Sequence, residues 1–515
     1  MGITRMNDSP IKTRRSIAKR LLACAGTIFL LLLALVAGRG YFAFRDRLPG
    51  YSLNLQVGSA SLNDSHSLKV GFARVKITPD LSDSAHPIFV AGFGQNRRAT
   101  GVHDDLWAIA CVIDDGRTRL GIVSLDAIGF FHDDVVRVRR RLAADWKLDY
   151  AIICSTHNHS TPDLMGLWGP DYLHTGVDSR YRESVRAVCV QVLGIATSNL
   201  QPARVSFQEI PTEPNGLVAD TRKPIVFDPD IRVIHFVQAS SDQTLGSIVS
   251  WADHPETPWS QNTELTADYC GYLRDALENG VMVADHKVAP GLGGIHLYIN
   301  GAIGGLMTTP PGTIVHDPYL NEDFQKPSHE KARALGRQLA SRILPKLRDR
   351  SVEFLDRVPI EIAAQTIELP LDNKMFLLAG YLGILDRGYV RWRTLRTEVA
   401  LVTLGEASIA CVPGEIYPEI VNGGIEQAPG GDFQITPIEV PPLRQLMPGR
   451  ITFIFGLAND EVGYLIPKSE WDDKPPYLYG ASHRPYGEIN SVGPEAASTI
   501  HAALKQLCTR RSVTP

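Results

Sequence analysis

A run of four apolar residues, Ala151-Ile152-Ile153-Cys154, passes without a spacer into Ser155-Thr156-His157-Asn158-His159-Ser160. The β-branched content of the run argues a buried strand, and the polar residues begin where that strand must end. Side chains alternate along an extended backbone, so His157 and His159 are expected to project from one face. Such a pair presents two imidazole nitrogens to one ion or one substrate. It equally suits a surface pair in a polar loop, and the spacing alone does not choose.

A chain of 515 residues, 44% hydrophobic and 21% charged, can bury a large core and is long enough for two to three domains' worth of structure. Its formal net charge of −4, with no basic patch interleaved with aromatics, excludes nucleic acid as an expected partner. The N-terminus differs in character. Arg5, Lys12, Arg14, Arg15, Lys19 and Arg20 lead into an uncharged, mostly apolar run over residues 21–38. We read residues 1–20 as a basic cytoplasmic segment and 21–38 as a signal anchor or signal peptide, which makes the rest membrane-anchored or exported, on the extracytoplasmic side. Val36-Ala37-Gly38 permits cleavage, and Thr13-Arg14-Arg15-Ser16-Ile17-Ala18-Lys19 resembles a twin-arginine signal. The seven cysteines are scattered without close pairing, and they read as buried thiols instead of a disulfide framework or a cysteine zinc site.

Residues 39–67 read as a polar linker, 68–508 as the catalytic domain and 509–515 as a tail. Alternation predicts strands over 69–77, 105–113 and 120–125, the last two joined through the turn Asp114-Asp115-Gly116. Further strands are expected over 231–237, 246–251, 295–299, 358–369, 398–404, 408–412 and 451–455. Helical spacing is expected over 133–145, 179–197, 266–278, 330–344 (stopped by Pro345) and 494–507. This interleaving predicts an α/β fold of mixed β-sheets flanked by helices. A boundary near 350 is conceivable, but candidate site residues fall on both sides of it, which favours one large catalytic unit.

Three further polar groups stand at the ends of apolar runs. His254 follows Ser250-Trp251-Ala252-Asp253, Glu415 follows Val412-Pro413-Gly414 at an apparent helix start, and Tyr464 leaves a strand through a glycine-containing turn. Each has an ordinary reading as a strand cap, a helix N-terminal acid or an interfacial aromatic. Together with His157 they offer two imidazoles, one carboxylate and one weak oxygen donor. That set suits zinc and leaves a position for water.

Several blocks resemble the neutral/alkaline (non-lysosomal) ceramidase family. They are Val70-Gly71-Phe72-Ala73-Arg74 with Ile77-Thr78-Pro79, Gly101-Val102-His103-Asp104-Asp105-Leu106, Val123-Ser124-Leu125-Asp126, the His157 block itself, and Pro413-Gly414-Glu415. The resemblance spans about residues 68–508. It implies a zinc amidohydrolase with one ion per chain, His157, His254, Glu415 and Tyr464 as ligands, and His159 beside the substrate. The chain also departs from the family. The segment matching its G-D-x-S-P motif reads Asn300-Gly301-Ala302-Ile303-Gly304-Gly305-Leu306-Met307, with Gly305 at the aspartate and Met307 at the serine. A serine nucleophile is not expected here, nor is the family's C-terminal β-sandwich.

The expected activity is hydrolysis of the amide (N-acyl) bond of a lipid or related amphiphile by a zinc-activated water. His159 would stabilise the tetrahedral oxyanion or shuttle a proton to the leaving amine. Asp126 and Asp253 are candidates for orienting imidazoles, and Arg97, Arg98 and His103 for lining the mouth. Tyr486 and Glu488 are weaker candidates. Two alternatives stand beside this reading: an ester or phosphate hydrolase, favoured if Asp126 and Asp268 hold a second ion, and a membrane-tethered binding protein without catalysis.

Overall fold

The turn Asp114-Asp115-Gly116 closes a hairpin as expected. Asp114 Oδ1 accepts from the Gly116 N–H at 2.7 Å, Asp115 Oδ1 accepts from Arg117 and Thr118, and Gly116 sits at φ 86°. In this computed structural model, which describes residues 10–59, 61–62 and 66–510, the hairpin strands Trp107–Asp114 and Arg119–Leu125 lie within an eight-stranded mixed sheet. Its order is Ile295–Asn300, Thr244–Trp251, Ile231–Gln238, Gln201–Ile210, Lys69–Lys76, Trp107–Asp114, Arg119–Leu125 and Tyr150–Ser155. The pairs at its two edges are parallel and the inner pairs antiparallel.

The edges of this sheet are brought round to meet. Ser124 Oγ donates to the Tyr298 carbonyl at 2.5 Å, and Asn300 Nδ2 donates to the Thr156 carbonyl at 2.9 Å. Strand twist accumulated over eight strands is what coils a sheet this far. Its consequence is functional: the chain leaving Tyr150–Ser155 and the chain leaving Thr244–Trp251 end up side by side.

A five-stranded sheet, in the order Asn54–Gly58, Ile360–Pro370, Thr394–Leu404, Ala407–Cys411, Ile451–Phe455, faces the first. Alternate residues of both, among them Val70, Phe72, Ile109 and Cys111 on one side and Ile362, Val402, Ile409 and Phe453 on the other, fill one continuous core. Helix Ser179–Ser198 covers the outside of the larger sheet, and Ala496–Arg510 packs on Ile360–Pro370 and Thr394–Leu404 of the smaller. The α/β architecture expected from the interleaving is therefore present, in two sheets with helices outside. The loop after Ile451–Phe455 ties the sheets together, since Asn459 exchanges backbone and side-chain hydrogen bonds with Ile153.

Several expectations need correction. Part of the stretch read as linker, Asn54–Gly58, is an edge strand paired with Ile360–Pro370, because Leu53, Leu55 and Val57 pack on the core. The helix expected over 133–145 is His132–Arg139 only; Arg137 and Arg141 would put like charges four apart on one face. Pro345 does not stop its helix, which runs His329–Leu347; two residues from the end, it forfeits a single backbone bond. The strand Gln201–Ile210 and the helix Lys374–Leu382 were not anticipated. Pro202 obscured the first, and an apolar run without periodicity obscured the second.

Candidate metal centre

His157 comes two residues after the strand Tyr150–Ser155, but extended alternation is not what aims it. Its φ is 64°, a left-handed conformation uncommon outside glycine, and it turns the chain so that His159 follows in a turn. The two rings nevertheless meet, with centroids 5.1 Å apart. His254 leaves Thr244–Trp251 as expected and forms a bridge with Thr308. Glu415 is not at a helix start. It opens the two-residue strand Glu415–Ile416, which pairs in parallel with Tyr464–Leu465 and sets Glu415 directly against Tyr464.

All five residues are buried and converge. His157 Nδ1 lies 2.7 Å from the Ile128 carbonyl, and His254 Nδ1 lies 2.6 Å from that of Met307. A carbonyl only accepts, so each ring carries its proton on Nδ1 and turns the Nε2 lone pair inward. His254 Nε2 then faces Glu415 Oε2 at 3.0 Å, His157 Nε2 faces the same oxygen at 3.5 Å, and the Tyr464 hydroxyl lies 3.3 Å from His254 Nε2. Lone pairs opposed at such distances repel unless a proton or a metal ion lies between them; burial lowers the His254 imidazole, but Glu415 outweighs it and raises the ring above its ordinary value. Donors 2.0–2.1 Å from a tetrahedral zinc are about 3.3 Å apart, so these groups have a spacing that such an ion would fit. The three imidazoles alone also present ligand atoms within 4.8 Å of one another.

The electrostatics follow from that crowding. Burial pushes the His157 imidazole down to about 3, only partly offset by Glu415. Burial would raise Glu415, but His157, His254 and the Tyr464 hydroxyl outweigh it and hold the carboxyl below its usual range. Burial, then the Glu415 charge, raises the Tyr464 phenol well above its ordinary value, and the same two causes raise Glu461.

His159 is held differently. Its Nδ1 lies within ion-pair distance of Glu256 Oε2, at 3.0 Å, Glu256 Oε1 accepts from Thr308 Oγ1 at 2.5 Å, and both ring nitrogens of His159 are buried without a well-aligned hydrogen bond. Burial would raise the Glu256 carboxyl, but the His159 imidazole beside it dominates and holds it at about 2. Gly92, at φ 99°, makes room for this ring: a Cβ there would lie 2.3 Å from His159 Cγ. Neither Glu256 nor Gly92 was anticipated; the only signal was an acid two residues beyond His254.

The remaining candidates separate. Asp126 is locked in a two-pronged pair with Arg274 at 2.8 and 2.9 Å, and Asp268 accepts backbone N–H groups of Thr257 and Tyr269. Both are thus engaged away from the imidazoles, and the second-ion arrangement is not formed. Asp253 accepts from Thr309, so the groups that orient the rings are the carbonyls of Ile128 and Met307. Arg97 is buried, donating to the Ala91 and Asn262 carbonyls beneath His159; Arg98 lies over Phe89; His103 stacks on His329. None of the three lines the mouth. Glu488 pairs with Arg222, whereas Tyr486 packs edge-on against Tyr464 at 5.9 Å. Met307, at the serine position, points its side chain into the core.

The cluster stands between two cavities. One is apolar, with Phe131, Met165, Leu385, Leu395 and Val492 in its wall; the other has Phe93, Trp259, Leu306, Pro310 and Pro311. His159, Tyr464 and Tyr486 border both.

No protein-family model matches this chain, and no curated protein does. Solved structures do. Neutral ceramidase from Pseudomonas aeruginosa aligns at a TM-score of 0.63 and 15% identity, over 88% of this chain and 76% of that one. The chain has the neutral ceramidase fold. A ceramidase complexed with C2 gives the same TM-score at 16% identity, over 87% of this chain and 76% of that one. With so few identities, it is the path of the backbone that the chain has in common with the ceramidases.

Proposed function

We propose that this chain is a zinc-dependent hydrolase of the neutral ceramidase type, cleaving the amide bond of an N-acyl lipid or related amphiphile, with residues 68–508 acting as one catalytic unit. The observation that carries the reading is the meeting of His157 Nε2, His254 Nε2, Glu415 Oε2 and the Tyr464 hydroxyl at 3.0–3.5 Å, four ligand groups brought together from segments far apart in the chain. These four residues would hold the ion. When bound, zinc supplies a Lewis acid for the scissile carbonyl and a lowered pKa for the attacking water.

The protein's own part is positioning and proton transfer. The Glu256 carboxylate, 3.0 Å from His159 Nδ1, favours the tautomer protonated there and so leaves Nε2 as the base, which takes a proton from the attacking water and returns it to the departing amine. The negative Glu256 stabilises the imidazolium formed between those events. The apolar cavity beside His157 accommodates an acyl chain and keeps water out. No side chain at position 307 is needed as a nucleophile.

We also infer that Lys19–Phe44, 26 residues of high mean hydropathy whose most apolar stretch is exposed, anchors the enzyme in a membrane, with the body on the extracytoplasmic side. The decisive experiment is metal analysis of the parent beside His157→Ala and Glu415→Ala, followed by product identification on matched amide and ester amphiphiles. About one zinc per chain, lost in both variants, with release of fatty acid from the amide, is the expected result. A folded parent that takes up no zinc overturns the reading.

A further inference from the structure

The helix Lys374–Leu382, sequence KMFLLAGYL, is apolar on every side. One face serves the cavity, since Phe376 lines it and, with Ala379, Leu167 and Trp168, packs against the buried cluster around Phe131 and Met165. A second face meets the apolar N-terminal helix: the Tyr381 hydroxyl donates to the Val36 carbonyl at 3.3 Å, and Gly380 leaves room for Phe44 and Tyr389. Among the described residues, the third face is left open. Met375, Leu378 and Leu382, spaced three and four apart, are 62%, 50% and 40% exposed. An all-apolar helix of a water-soluble body is ordinarily buried all round.

What lies alongside that face identifies its occupant. Lys19–Phe44 is 26 residues long, about 39 Å of helix at 1.5 Å per residue, against a hydrocarbon core of about 30 Å. Its last two turns therefore reach the headgroup level, and those are the turns that Tyr381, Gly380 and Gly383 touch. Aromatics gather at the same level. Tyr41 and Phe42 are exposed, and Trp392, 59% exposed, packs edge-on against Phe44 at 4.5 Å. Arg39 and Arg45 flank them, Arg45 lying over the Phe42 ring. A ring of Tyr, Trp and Arg at the end of an apolar helix is the pattern of a bilayer interface. The junction is also rigid. Ala43 and Phe44 are buried, Asp46 pairs with Arg396 at 2.8 Å, and Arg47 pairs with Asp386 at 2.5 Å, so the anchor fixes how the body sits.

We propose that Lys374–Leu382 and Trp392 lie in the interface of the same bilayer that holds Lys19–Phe44, forming a membrane-docking face beside the mouth of the apolar cavity. The occupant is the lipid surface itself. Through Phe376, Leu167 and Trp168, a lipid tail passes sideways from the bilayer into the cavity without crossing water. This rests on the anchor reading but not on the hydrolase reading.

The test uses the full chain reconstituted in phosphatidylcholine vesicles, with or without bromine on the acyl chains, and reads tryptophan emission. The anchor contributes no tryptophan to the signal, because residues 1–44 contain none. The parent is expected to be quenched by the brominated lipid, and Trp392→Phe to lose at least half of that quenching. Met375→Glu/Leu378→Glu, verified as folded by circular dichroism, should reduce the quenching while the chain still floats with the vesicles. Flotation with equal quenching in parent and Trp392→Phe overturns the docking face and leaves the anchor standing. Failure of the full chain to float overturns the anchor reading, and the docking face with it.

Discussion

Glu256 shows how much of a site can rest on one unheralded side chain. Its carboxylate lies 3.0 Å from His159 Nδ1 and is itself fixed by Thr308. Substitution Glu256→Gln keeps the shape, removes the charge that favours an imidazolium, and touches none of the four proposed ligands. Metal content should stay at the parent level while kcat falls about 10–100-fold with little change in KM, the range known for outer partners of a metal site. Parallel metal analysis and steady-state kinetics check this, and a joint loss of metal and activity would contradict it. The proposed ligands were legible because each follows an apolar run, so burial and polarity change abruptly in the sequence. Glu256 lies one proline past His254 in a polar loop, where nothing in the residue pattern separates a functional acid from a solvated one. Gly92 was hidden for another reason, since only the folded position of the His159 ring makes a missing Cβ matter.

At the scale of elements, the two short strands Glu415–Ile416 and Tyr464–Leu465 set the geometry of half the site. Register places Glu415 opposite Tyr464, and the Glu415 N–H donates to the Gly463 carbonyl at 3.1 Å. Gly463 has φ 84°, and a Cβ there would stand 1.9 Å from the Asn490 carbonyl. Gly463→Ala must therefore shift this pair of strands although residue 463 supplies no ligand. Zinc affinity is expected to drop at least tenfold, measured by competition with a chromophoric chelator; an unchanged affinity would show that the strand pair does not set the geometry. Two-residue strands of this kind carry no periodicity. That is why Glu415 was taken for a helix start, whereas Ile451–Phe455, with its full alternating run, matched the expected span.

At the scale of the whole molecule, the two sheets were each foreshadowed by alternating segments, but their arrangement was not. Residue patterns report which face is buried, not which edge strand curls round to meet which. The Ser124–Tyr298 and Asn300–Thr156 contacts that close the larger sheet are single hydrogen bonds between segments more than 140 residues apart. The proposed ion would add one more long-range tie, with His157 and His254 from the larger sheet and Glu415 and Tyr464 from segments that follow the smaller one. Saturation to 100 times Kd stabilises a protein by about 2.7 kcal/mol. Scanning calorimetry before and after chelation should accordingly show a lower Tm for the stripped protein, restored by added zinc, and no difference would argue that the sheets are not joined through the ion.

Met307 illustrates a separation of duties. Its carbonyl receives both the backbone N–H of His254, at 2.9 Å, and the ring Nδ1–H, at 2.6 Å. Every amino acid brings the same carbonyl, so the grip on His254 is indifferent to what the codon at 307 specifies. Lineages could then exchange a hydroxyl for a thioether at this position without unseating the imidazole, and the identity of residue 307 becomes a poor guide to whether the centre beside it still works.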